Sequence, residues 1–162
     1  MKIDIRSRSQ ATHMVLLAGL VLSSLLLPFR ASAALGGDVT SVEADRQQMK
    51  ATRAVTAHEA YSVHEITAPY GTVVREYVSP DGQVFGVAWL GTTVPNLHQL
   101  LGDYYSQFDQ AAAAQRTPRR RGPLVINEPG LVVAAGGHMR AYRGKAYIPS
   151  LLPAGVQPED IR

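Results

Sequence analysis

The chain contains no cysteine, one tryptophan and three phenylalanines among its 162 residues. Without a thiol it has no disulfide, iron–sulfur cluster, cysteine-ligated zinc, thiol nucleophile or lipid-modified N-terminal cysteine. Long hydrophobic runs are lacking too. The longest, residues 14–27, has fourteen apolar or small residues, short of the ~20 that span ~30 Å of hydrocarbon. No Gly-x-Ser-x-Gly elbow, Gly-Lys-Ser/Thr phosphate loop or dinucleotide fingerprint occurs, so the common signatures of serine hydrolases and nucleotide enzymes are missing.

What is present at the N-terminus is an export pattern. Lys2, Arg6 and Arg8 precede the apolar run, Pro28 ends it, and Ala31-Ser32-Ala33 offers small side chains to a signal peptidase. This predicts a signal peptide over residues 1–33, cleaved between Ala33 and Ala34, with Sec-dependent delivery to the periplasm or beyond and no membrane span afterwards. Ser7 separates Arg6 from Arg8, so a twin-arginine pair is absent. The leader carries Lys2, Arg6, Arg8, Arg30 and Asp4, so sixteen Lys plus Arg and thirteen Asp plus Glu become twelve of each. The basic character of the whole chain thus belongs to its leader, and a nucleic-acid partner is not expected.

Residues 34–59 are polar and sparse in apolar positions, and predict a peripheral N-terminal helix to about residue 53, capped near residues 38–41. Residues 60–68 alternate as a strand, with Tyr61, Val63 and Glu65 on one side and Ser62, His64 and Ile66 on the other. Residues 72–78 and 83–90 form a hairpin around Pro80-Asp81-Gly82. With Ser79 opposite Gln83, Tyr77 opposes Phe85, Arg75 opposes Val87 and Val73 opposes Trp89, an aromatic face backed by a small, notched one. Leu97, Leu100, Leu101, Tyr104, Tyr105 and Phe108 mark one buried stripe of a helix capped by Asn96, with Gln99 reaching back, running to residue 114. A mobile loop at 115–123, with Arg119-Arg120-Arg121, precedes a β-meander that turns at Gly136-Gly137 and Arg143-Gly144. The expected fold is α+β: a single domain over 60–162 in which an antiparallel sheet packs on one main amphipathic helix.

His58-Glu59 and His64-Glu65 lack the i, i+4 histidine spacing of a helical zinc site, and no metal or other cofactor is predicted. Arg75 and Glu76 sit between valines in mid-strand. Three groups remain as sources of acid–base chemistry, His64, Glu76 and His138, which act together only if they converge within about 10 Å.

Ala34-Leu35-Gly36-Gly37, Val74-Arg75-Glu76-Tyr77-Val78, Asp81-Gly82-x-Val84-Phe85-x-Val87-x-Trp89, Pro95-Asn96-Leu97, Leu100-Leu101-Gly102-x-Tyr104, Gly137-His138-Met139-Arg140-Ala141-Tyr142 and Ala146-Tyr147-Ile148-Pro149 with Pro153-Ala154-Gly155-Val156 occur in this order. Together they resemble the domain of unknown function 2844 family. The resemblance implies an exported protein of a Gram-negative bacterium and carries no activity, cofactor or catalytic residue. The segment 116–122 matches none of these blocks.

The expected role is therefore a non-enzymatic binding or interaction domain of the cell envelope, whose partner is an envelope protein or small ligand. Its surface is placed on Arg75, Tyr77, Phe85, Trp89, His138 and Arg140, an assignment that fails if the aromatics are buried. The alternatives are a small hydrolase using His64, Glu76 and His138, and a structural or assembly subunit that pairs through an exposed strand edge.

Overall fold

The computed structural model describes residues 35–116 and 122–162. The leader, its cleavage point at Ala33–Ala34 and the three-arginine run lie outside the described residues.

Helix α1 (Thr40–Gln48) begins the fold. Its Val42, Asp45 and Met49 fall on one stripe, and all three are buried. Asp38 Oδ1 accepts the Thr40 N–H at 2.8 Å, a side-chain bond that satisfies one orphan donor of the first turn. The helix stops because Lys50 adopts φ 50°, which lets the Ala51 N–H bond the Arg46 carbonyl at 2.9 Å. That is a Schellman ending on a residue other than glycine. Lys50 is exposed, so Lys50→Gly removes strain without removing packing and is expected to stabilise the domain by about 0.5 kcal/mol in urea denaturation.

Seven antiparallel strands follow: β1 (Thr52–Ala57), β2 (Ser62–Thr67), β3 (Val73–Val78), β4 (Val84–Gly91), β5 (Leu124–Glu128), β6 (Leu131–His138) and β7 (Ala141–Tyr147). They form one sheet in the order β1-β2-β3-β4-β7-β6-β5. Between β4 and β5 lie α2 (Leu97–Leu101), a 3₁₀ turn (Gly102–Tyr104) and α3 (Tyr105–Ala114). The α+β architecture expected from the sequence is what the chain adopts.

One face of the sheet packs against the helices. A row of cross-strand neighbours runs its whole width: Val55, His64, Glu76, Val87, Ala146, Val133 and Ile126. From the helices Val42, Leu100, Leu101 and Phe108 close over it, and each fully buried leucine contributes about 2 kcal/mol. The opposite face is covered along its centre by the C-terminal tail. There Tyr77, Phe85, Ala88, Val156 and Ile161 make a second cluster.

The structure departs from the sequence expectations at five places. Residues 34–59 are not one helix outside the domain: α1 ends at Gln48, and β1, exposed at all six positions, is an edge strand of the same sheet. Its polar composition hides it, because an edge strand has little to bury. The main helix is not continuous. Gly102, at φ 49° and ψ −123°, separates α2 from α3. The Gln99 side chain does not reach back to its cap; it extends to Asp45. In the C-terminal meander, Gly136, Gly137 and Gly144 lie inside strands and the chain turns at Met139-Arg140.

The fifth departure alters the hairpin faces. Ser79 does oppose Gln83, and Val78 opposes Val84. A bulge then makes Phe85 an extra residue, so Tyr77 faces Gly86, Arg75 faces Ala88 and Val74 faces Trp89. The freed Phe85 carbonyl accepts the Ile148 N–H at 3.0 Å. A one-residue shift moves every later side chain to the other face. Trp89 consequently joins the helix side, and its expected aromatic partners stay on the tail side.

Candidate functional site

The hairpin aromatics proposed as a surface are interior. Tyr77, Phe85 and Trp89 retain 2%, 0% and 3% of their exposure. Phe85 sits against Tyr61 and Tyr77 at centroid distances of 6.0 and 6.2 Å, in edge and tilted geometries favoured by ring quadrupoles. Trp89 instead lies over Gly144, where an added Cβ would fall 2.2 Å from its Cζ2. Glycine is thus a packing requirement at that position, and this explains a residue that otherwise reads as a turn.

Arg75 and Tyr77 hold the tail. Tyr77 OH donates to the Arg162 carbonyl at 2.8 Å and accepts the Arg162 N–H at 2.9 Å. Burial pushes the Tyr77 phenol up, so it keeps the proton that this contact uses. Arg75 donates to Glu65 at 2.8 Å, its cross-strand neighbour, and to the same Arg162 carbonyl at 3.1 Å. Ile161 occupies the notch left by Gly86, its Cδ1 2.8 Å from where a Cβ would be. His138, Met139 and Arg140 form the exposed tip of the β6–β7 hairpin, with Met139 80% exposed and Arg140 at φ 66°. The six proposed surface residues therefore divide into tail clamp, core and a separate hairpin tip.

Beside the clamped tail the sheet is open. A cleft of about 740 Å³ lies over β4, β7 and β6, between the tail and Pro123. Leu90, Ala134 and the backbone of Gly136 and Gly144 make a floor low in side chains, and Arg75, Arg143, Lys145 and Arg162 stand around it with one acid, Glu159. Arg75 is engaged by Glu65, and Lys145 Nζ donates to the Pro158 carbonyl. Arg143, which is exposed, lies across from Leu90 and Gly136. The chemistry such a lining offers suits an anion attached to an apolar body: guanidinium groups can supply charge-assisted hydrogen bonds and the floor contact area. Sequence reasoning missed Arg143 and Lys145 by reading a turn there. The alternation of Arg143, Lys145 and Tyr147 with Tyr142, Gly144 and Ala146 was the available signal.

A second unusual locus is closed. Glu76 and His64 are direct cross-strand neighbours on the helix face. They are buried at 1% and 5% exposure, beneath Asp45 at 1%. Burial, followed by the Asp45 charge, drives the Glu76 carboxyl well above its ordinary range. Burial also raises Asp45, against the opposing effect of the neighbouring Glu76 carboxyl and of the hydrogen bond that Asp45 accepts from Gln99. His64 is lowered by burial and then by the Arg53 charge, and its Nε2 meets Ser62 Oγ at 3.2 Å. Arg53 itself pairs with Glu43 at 3.4 Å, a carboxyl that Arg46 and Gln47 hold down to about 2. Asp45 was not singled out from the sequence, although an acid on the 42/45/49 stripe is a legible anomaly.

The three groups of the hydrolase alternative do not converge. His64 and Glu76 are adjacent, but His138 is exposed at the end of β6, four strand spacings from β2. At ~4.8 Å each, that is about 19 Å across the sheet. His58 stacks on Tyr61 at 4.6 Å in the β1–β2 connection and is not on a strand with His64. Among the described residues no three His, Asp or Glu side chains are arranged to hold a metal ion, and no helix is long and apolar enough to cross a membrane. No curated protein and no solved structure matches the chain. The family model for "Protein of unknown function (DUF2844)" matches residues 31–161, and the chain belongs to that family.

Proposed function

We propose that this protein is an exported, non-enzymatic binding domain that takes an anionic ligand with an apolar body in the cleft over β4, β7 and β6. The observation that carries the reading is the ring of Arg75, Arg143, Lys145 and Arg162 around a floor of Leu90, Ala134, Gly136 and Gly144. The described residues carry nine Lys plus Arg against twelve Asp plus Glu, so this grouping of cations on one surface is local and not a reflection of composition. Export rests on the pattern of residues 1–33, and the cell envelope is the compartment it implies. The separation of His138 from His64 and Glu76 supports binding over hydrolysis.

The cleft has direct test conditions. The probe is 8-anilinonaphthalene-1-sulfonate, a sulfonate on a fused aromatic body, titrated calorimetrically into the purified protein. The expected result is saturable binding at one site, weakened about tenfold or more by Arg143→Glu. Arg143 is exposed and in the middle of β7, so the substitution leaves the core intact. Non-saturable uptake, or equal affinity in the variant, rejects the cleft as the site.

A further inference from the structure

Five buried polar side-chain atoms of α1, β2 and β3 have no hydrogen-bond partner: Ser41 Oγ and Asp45 Oδ2 on α1, His64 Nδ1 on β2 and both oxygens of Glu76 on β3. As carboxylates, Asp45 and Glu76 offer each other only acceptors. One proton between them converts the contact into a hydrogen bond from Glu76 to Asp45, which accepts a second from Gln99 Nε2. Three elements meet there: α1 brings Asp45, β3 brings Glu76 and α2 brings Gln99.

We propose that Asp45 and Glu76 hold a single proton as a latch, which closes α1 onto the sheet and onto α2 and releases it when that proton is lost. The charged and titratable neighbours are few. From β2, His64 faces Glu76, and burial lowers its imidazole; from β1, Arg53 acts on His64 and Glu76 but is already paired with Glu43. From β4 the facing residue is Val87, which offers no compensation. Deprotonation therefore leaves two buried carboxylates with one donor, Gln99. Repulsion between two carboxylates in a buried site is relieved by moving one of them. β3 is bonded in the sheet on both sides, whereas α1 is held through side-chain packing, so α1 is the element that moves. A cleft of about 420 Å³ already marks the seam between α1 and α2, lined by Met49, Lys50, Tyr70, Asn96 and Gln99. Release of Gln99 from Asp45 opens that seam.

The sign follows from linkage. Glu76 and Asp45 are raised in the fold, so their stabilising contribution is complete below the unfolded carboxylate range and is lost as pH rises through the folded values. His64 is lowered, and its contribution is lost instead as pH falls below about 6.5. Comparing the protein with Glu76→Gln cancels the histidine, because Gln has the shape and donor of the protonated acid. In carboxyl-detected NMR of the purified protein, Glu76 is expected to titrate well above the ordinary range. Hydrogen-exchange protection over Val42–Gln48 is expected to fall about tenfold or more between about pH 5 and pH 8, and to stay level in Glu76→Gln. An ordinary Glu76 titration, or the same loss of protection in the variant, overturns the latch. If Glu76→Gln does not fold, the carboxyl titration of the unaltered protein decides alone.

Discussion

Gly144→Ala is expected to destabilise the domain by about 3 kcal/mol, a large effect for one methyl group. The added Cβ would lie 2.2 Å from Trp89 Cζ2 and 2.5 Å from Cε2. Neither partner has room to retreat. β7 is bonded to β4 on one side and β6 on the other, and Trp89 is enclosed with Val74 as its other cross-strand neighbour. The indole must leave its seat, opening a void among residues packed at interior density. Because Trp89 is the chain's single tryptophan, its fluorescence reports both the local displacement and the urea midpoint. A stability change below about 0.5 kcal/mol, with an unshifted emission spectrum, would mean that the ring does not rest on this glycine.

Phe85→Ala is expected to cost as much or more, at about 3–5 kcal/mol. Phe85 is fully buried on the tail side, where it touches Tyr61 and Tyr77 and helps form the bed for Ile161 and Val156. Truncation removes the ring and leaves a cavity whose walls are strand backbone and the tail. The tail is the weaker wall. It therefore loosens, the Tyr77–Arg162 contacts are lost, and residues 156–162 become susceptible to limited proteolysis at conditions where the parent resists. Equal protection of the tail in Phe85→Ala, together with a loss under 1 kcal/mol, would show that the tail is held by its polar clamp alone.

How much of this was legible in sequence depends on where the controlling forces lie. The alternation of β2 and the Pro80-Asp81-Gly82 turn are set by local periodicity and turn chemistry and appear as read. The Leu97–Phe108 stripe, by contrast, appears with a break at Gly102 and has only Leu100, Leu101 and Phe108 buried. The faces of β4 are not local. They depend on a bulge at Phe85, whose carbonyl is taken by the N–H of Ile148, 63 residues away in the chain. Nothing in the hairpin's own residues announces that requirement. β1 escaped because its pattern is that of an exposed edge, with no buried side to create a period. Gly136 and Gly144 were read as turns since glycine's turn role is visible in sequence and its role beneath a distant indole is not. The cleft drew on Arg75, Arg143, Lys145 and Arg162, whose approach follows from strand order and from the course of the tail. Glu76 was noticed as an acid among valines, but its partner Asp45 needed α1 to be laid over β3.

The most direct test of the account is where an anionic probe binds. Backbone amide NMR of the labelled protein, titrated with 8-anilinonaphthalene-1-sulfonate, places the site residue by residue. Saturating shifts centred on Leu90, Gly136, Arg143, Gly144 and Ile161 are the result expected of the cleft. Shifts centred on the hairpin tip at His138-Met139-Arg140, or on β1, with the cleft unmoved, would contradict it.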